Sequence, residues 1–217
     1  MSQLALHDAT ASYGDRAVLG PLDLTLAPGE RVALVGKSGA GKSTLLSLMH
    51  THWRQQGVAL MPQELGLVPT LTVFHNVFIG RLHTHPGWYN LITLARPFRR
   101  DVEAVMPLLA RLGIADKCWS PAGELSGGQR QRVAAGRALF QAGAALLADE
   151  PVSALDGPQA EVVMTALTEA YPTAVLAMHD LDLALRFCDR VIGISDGAIA
   201  IDQPSLRLSA GDLLALY

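Results

Sequence analysis

The segment Gly36-Lys37-Ser38-Gly39-Ala40-Gly41-Lys42-Ser43-Thr44 combines four residue types that together hold phosphate: glycine, lysine, serine and threonine. It follows the apolar, β-branched run at residues 31–35 and leads into residues 44–49, which have helical character. Glycines on a strand-to-helix turn let backbone N–H groups converge on an anion, and the helix N-terminus adds the positive end of its dipole. The spacing is that of a P-loop, in which Lys42 reaches the β- and γ-phosphates of ATP and the Ser43 hydroxyl binds Mg²⁺. A second acidic feature complements it. Asp149 and Glu150 end another apolar run, residues 144–148, which reads as a buried parallel strand. Open α/β sheets place ligands at the C-terminal ends of such strands. There Asp149 can hold hydrated Mg²⁺ and Glu150 can polarise an attacking water. Taken alone, the two carboxylates before Pro151 would equally serve as helix caps.

The ordered series beyond this pair resembles the nucleotide-binding subunit of an ABC (ATP-binding cassette) transporter, from Tyr13 to the end of the chain. Leu125-Ser126-Gly127-Gly128-Gln129 stands as the family signature. The resemblance implies that Ser126, Gly127, Gly128 and Gln129, with Asp156 of the Ser153-Ala154-Leu155-Asp156 loop, close in trans over ATP held by a second copy. It implies that Tyr13 stacks on adenine, that Gln63 senses Mg²⁺ alongside Ser43 and Asp149, and that His179 is a switch on the γ-phosphate. Partners then follow: a head-to-tail homodimer, an integral-membrane permease, and, indirectly, a periplasmic or extracellular substrate-binding protein. Finer features resemble phosphonate-importer ATPases: residues 71–77, Gly80-Arg81-Leu82, the Trp88 stretch, residues 184–190 and the ending Asp212-Leu213-Leu214-Ala215-Leu216-Tyr217. The function so implied is ATP hydrolysis driving import of phosphonate or a related phosphorus oxyanion. A non-transport ABC ATPase, such as a subunit of a phosphonate-degrading enzyme assembly, stays open at this point.

Two departures from the family pattern stand out. Lys42 and Gln63 are separated by a short stretch, which suggests a trimmed antiparallel β region. Gly157 follows Asp156 where proline is common, with Pro158 directly after it.

The elements that must position these residues are expected to form an α/β fold: a P-loop NTPase core sheet, an antiparallel β edge near the N-terminus, and an inserted α-helical subdomain. The chain of 217 residues suits one ATPase domain. Residues 1–65 carry the N-terminal β region and P-loop, 66–142 the helical subdomain, and 143–217 the rest of the core sheet. Turns are expected at Tyr13-Gly14-Asp15 and Ala27-Pro28-Gly29-Glu30. Residues 101–112 place Val102, Val105, Met106, Leu109 and Leu112 at helical spacing, with Pro107 as a kink or helix start. Residues 129–141 read as a helix with Arg130, Arg132 and Arg137 outward.

Composition narrows the function classes. With 17 basic and 20 acidic residues the formal charge is −3, which leaves no basic footprint for nucleic acid. Half the residues are hydrophobic, yet charges interrupt every long apolar run, so no membrane span is expected. Residues 1–12 do not read as a signal peptide. The expected location is peripheral, on the cytoplasmic side of the inner (plasma) membrane. Cys118 and Cys188 are too few for a disulfide framework or zinc site, and the pairs His50/His52 and His83/His85 read as solvated helix ends and loops.

Overall fold

Three short apolar runs become the fully covered centre of one sheet. β3 (Arg31–Val35), β5 (Ala145–Asp149) and β6 (Ala174–Ala177) are buried along nearly their whole length, the pattern of parallel strands with both faces packed. The computed structural model describes residues 3–13 and 16–217, without the side chains of Tyr13, Arg16 and Ala17. The expected turn at Gly14-Asp15 and the Tyr13 side chain therefore lie outside the described residues. With β4 (Val58–Met61), β7 (Arg190–Ser195) and β8 (Ala198–Pro204), the strands are ordered β4-β5-β6-β3-β7-β8. Every neighbouring pair is parallel except β7 with β8. The antiparallel edge of this sheet thus comes from the C-terminal part of the chain. The N-terminal strands β1 (Leu4–Tyr13) and β2 (Arg16–Leu26) make a separate two-stranded ribbon.

The chain divides into two compact units. The first comprises residues 1–63, 143–153 and 171–217. It contains both sheets and the helices α1 (Lys42–Trp53), α7 (Leu181–Phe187) and α8 (Ala210–Leu213). α1 buries Leu45, Leu46, Met49 and Trp53, a stripe at helical spacing, into a core with Leu4, Leu24, Leu26, Val32 and Leu147. The Trp53 indole N–H donates to the Ala5 carbonyl at 3.0 Å, so the last turn of α1 is tied to β1. A single 3₁₀ turn, Arg54–Gln56, and Gly57 join α1 to β4. The short stretch between Lys42 and Gln63 therefore runs straight from the helix into the sheet.

The second unit comprises residues 64–142 and 154–170. It contains α2 (Val73–Phe78), α3 (Gly87–Ala95), α4 (Arg99–Arg111), α5 (Gly127–Gln141) and α6 (Gly157–Ala170). The helical part thus gains α6, which lies far along the sequence from residues 66–142. Asn76 is fully buried and pins the loop before α2: its amide donates to the carbonyls of Val68, Leu71 and Thr72 and accepts from the Val68 N–H. α4 buries Asp101, Val105 and Leu109 on one face. Pro107 lies inside α4, neither near its start nor at its end. Its ring and the carbonyl it leaves unpaired, that of Glu103, are on exposed residues, where water can satisfy the carbonyl.

One expectation is corrected here. Arg132 and Arg137 on α5 do not point outward. Arg132 donates to the carbonyls of Leu112 and Gly113, and Arg137 to those of Leu65 and Gly66. A long guanidinium stem can leave a helix and still satisfy loop carbonyls, so charge alone does not place an arginine in solvent. Arg130 is exposed as expected.

Because Trp53 is fully enclosed in the core of the first unit, Trp53→Ala is expected to cost about 3–5 kcal/mol. Trp53→Phe should cost less, about 1–3 kcal/mol, from the lost hydrogen bond and a smaller void. Urea unfolding of the two variants checks the order; equal costs would assign the whole effect to the hydrogen bond.

Candidate functional site

Three neighbouring strands end level with one another, and each delivers a different chemical group. In the parallel register Leu34 pairs with Ala177, and Ala177 with Asp149. The residues just beyond are Gly36 after β3, His179 after β6 and Glu150 after β5. A cavity of about 150 Å³ opens there. Ser38, Gly39, Gly41, Lys42, Ser43, Thr44, Gln63, Glu150 and His179 line it, together with Val18 from β2.

The loop geometry follows from its glycines. Gly36 has φ 140° and a Cβ there would meet the Ile194 carbonyl oxygen at 2.3 Å. Gly41 has φ 108° and immediately precedes the first residue of α1. Such positive φ values are strained for residues with a side chain, so the loop conformation requires glycine at both points. Among the described residues no side chain caps the N-terminus of α1, which leaves its first amides for a ligand. Ala40 is buried, while Lys37, Ser38 and Gly39 are exposed along the loop.

Lys42 is 5 % exposed, and its ammonium donates to the carbonyls of Gly36 and Lys37. Burial lowers its pKa, and the charges of Glu150 and Asp149 pull it back up. Asp149 is equally enclosed, and burial raises its pKa. The hydrogen bond from the Ser43 hydroxyl opposes that rise. Glu150 sits at φ 51°, in the left-handed region rarely used by a residue with a side chain. Its N–H donates to the Ala177 carbonyl at 2.9 Å, and His179 Nε2–H donates to its Oε1 at 2.9 Å. A carboxylate held in this way faces a polar cavity already lined by a lysine, hydroxyls and a glycine loop. That set can bind a polyphosphate and activate water beside it.

The other expected residues gather in the second unit. Ser126 caps the 15-residue helix α5: its hydroxyl accepts from the Gln129 N–H at 3.3 Å, and Gln129 Oε1 accepts from the Ser126 N–H at 2.9 Å. Gly128 packs so closely that a Cβ would lie 2.9 Å from the Ala154 carbonyl oxygen. Asp156 caps α6 by accepting from the Gln159 N–H and side-chain amide at 3.0 Å each. Sequence reasoning missed Gln131, a buried side chain whose Oε1 accepts from the Ala154 N–H at 2.7 Å. It fastens the loop carrying Asp156 to the helix carrying Gly127 and Gly128. A polar residue buried on an otherwise small-residue helix face was the available signal. Val18 was also missed, since only tertiary packing brings β2 to the cavity.

Comparison with known proteins shows the family and the fold. The family described as ABC transporter matches residues 19–57 and 49–153. A protein of Rhizobium meliloti named phosphonates import ATP-binding protein PhnC is 34 % identical over 98 % of this chain, and the alignment spans 85 % of that protein. A protein of the same name from Thiobacillus denitrificans is 36 % identical, with 100 % of this chain and 93 % of that protein covered. Among solved structures, a dimeric bacterial ABC transporter cassette superposes with a TM-score of 0.81 at 27 % identity, over 93 % of this chain and 98 % of its own. A dimeric post-hydrolysis state of an ATP-binding cassette bound to ADP and Pi gives a TM-score of 0.78 at 27 % identity, over 90 % and 95 %.

Lys42→Ala is expected to weaken ATP binding by tenfold or more, the loss of charge-assisted hydrogen bonds worth about 1.5–3 kcal/mol each. Isothermal titration measures it; an unchanged affinity would remove Lys42 from the phosphate site.

Proposed function

This chain belongs to the ABC transporter family, and from that premise we propose that it is the ATP-hydrolysing subunit of an importer for phosphonate or a related phosphorus oxyanion. The observation that carries the reading is the shared cavity: a glycine loop, a buried lysine and a histidine-held carboxylate face one space at the ends of three parallel strands. The names of relatives from several organisms support the substrate class.

In this reading the 36–44 loop and Lys42 bind the β- and γ-phosphates of ATP, and Tyr13 takes the adenine. Water attacks the γ-phosphorus as the bond to the bridging oxygen of ADP breaks. Glu150 orients that water and takes up its proton. His179 holds the Glu150 carboxylate and reports the γ-phosphate. Ser43, Asp149 and Gln63 offer hydroxyl, carboxylate and amide oxygens, the hard donors that suit Mg²⁺. When bound, that ion neutralises charge on the β/γ-phosphate oxygens.

Two copies face head to tail in the proposed working state. Ser126, Gly127, Gly128, Gln129 and Asp156 of one copy then complete the γ-phosphate shell of the other. The whole chain acts as one ATPase domain: residues 1–65 and the parts of 143–217 outside α6 hold the nucleotide, and 66–142, joined by α6, form the helical subdomain. The transporting partner is an integral-membrane permease, fed by a substrate-binding protein, with this chain peripheral on the cytoplasmic side. Among the described residues no helix is long and apolar enough to cross a membrane. A docking surface suited to a permease helix lies within the second unit. A cavity of about 350 Å³ is lined by Leu71, Phe78, Ile79, Leu82, Leu91 and Leu94 among others, and Trp88 and Leu91 nearby are 64 % and 70 % exposed.

Glu150→Gln should keep ATP affinity within about threefold and lower kcat at least a hundredfold, since the amide cannot take the water's proton. The ATP-bound dimer should then accumulate on size exclusion with Mg-ATP. Near wild-type turnover would take Glu150 out of the catalytic role. For the permease, cysteines placed at 82, 88, 91 or 94 are expected to cross-link to its cytoplasmic loops. An assembled complex with no cross-link from this block would move the coupling surface elsewhere, and the absence of any permease partner would favour a non-transport ATPase.

A further inference from the structure

The end of the described chain returns to the site. The 3₁₀ turn Leu214–Leu216 follows α8, and Leu213 and Leu216 are buried. Leu216 packs where Gly193 of β7 leaves room for it. These leucines anchor the turn. Tyr217 does something else: its residue is 47 % exposed, yet its hydroxyl reaches inward. The Gly36 N–H donates to Tyr217 Oη at 3.4 Å, and Tyr217 Oη–H donates to the Met178 carbonyl at 3.4 Å. The Lys37 N–H donates to the Leu216 carbonyl at 3.2 Å. The Tyr217 ring stands edge-on to the His179 ring, centroids 6.2 Å apart.

One hydroxyl therefore joins two segments that are distant in sequence: the first residue of the phosphate loop and the residue before His179. Burial raises the phenol's pKa, the Gly36 N–H opposes that, and the Glu150 charge adds to the rise. The hydroxyl keeps its proton at neutral pH and so can accept from one side while donating to the other. Packing does not account for this, because a phenylalanine would fill the same partly exposed place.

We propose that Tyr217 is a positioning residue for ATP hydrolysis, its hydroxyl bracing the start of the phosphate loop against the segment that aims His179 at Glu150. The proposal rests on the role given to His179 above. Phosphate grip comes from Lys42 and the amides further along the loop; the one loop amide that Tyr217 touches, that of Gly36, already donates to its hydroxyl. Its loss should therefore appear in turnover and leave ATP affinity in place.

The test is Tyr217→Phe, His179→Ala and the double variant, each assayed for kcat and KM with Mg-ATP and for melting temperature. Tyr217→Phe is expected to lower kcat about three- to tenfold with KM within about twofold of wild type. Its melting temperature should stay within about 2 °C. The double variant should be no slower than His179→Ala alone, because both lesions act through one group. An unchanged kcat in Tyr217→Phe, a loss that follows a falling melting temperature, or losses that multiply in the double variant would each overturn the proposal. Failure of the premise looks different: His179→Ala would itself turn over ATP at the wild-type rate, which removes His179 from the reaction and the route through it.

Discussion

The parallel register of β5, β6 and β3 is the constraint on which the site depends. Ladder hydrogen bonds set Leu34, Ala177 and Asp149 level, and chain continuity then brings Gly36, His179 and Glu150 to one edge. A parallel pair permits no local adjustment by a tight turn; each crossover must pass through a helix. The three groups are therefore placed by the most rigid part of the molecule. Sliding any of these strands by one residue would turn its side chains to the opposite face and carry the group at its end out of line with the other two.

That rigid edge explains how unlike charges are kept close without collapsing on one another. Lys42 is satisfied by carbonyls of its own loop, Asp149 by Ser43, and Glu150 by His179. Each ionisable group has a local hydrogen-bond partner, so the lysine does not need a direct carboxylate contact. An ammonium locked in an ion pair would have to break it to meet phosphate, at the cost of leaving a carboxylate uncompensated. Here it has only to change neutral acceptors.

Much of the loop geometry was legible in the sequence because backbone amides can converge as they do here only where glycine stands at set intervals. Gly36, Gly41 and Gly128 are each forced by a positive φ or by a close backbone approach. The Asp149-Glu150 pair was legible only beside the glycine loop, since two carboxylates at the end of an apolar run would otherwise serve equally as helix caps. What stayed hidden depends on tertiary closure. Tyr217 and Val18 reach the site from strands and turns whose sequence carries no mark of it. The grouping of α6 with residues 64–142 follows from packing between helices far apart in the chain. Arg132 and Arg137 were misplaced because amphipathic patterning assigns a charge to solvent, whereas a guanidinium finds loop carbonyls equally good.

The capping box at Ser126 has a consequence for ion selectivity. In the free protein the box takes up two N–H groups at the head of α5, those of Ser126 and Gln129, and leaves those of Gly127 and Gly128 outside it. Against such a pair of amides a weakly coordinating monovalent ion such as chloride gains little, while a multiply charged oxyanion gains from the helix dipole and from several amides together. In the proposed dimer this helix end therefore favours the multiply charged phosphate of the other copy over small monovalent ions.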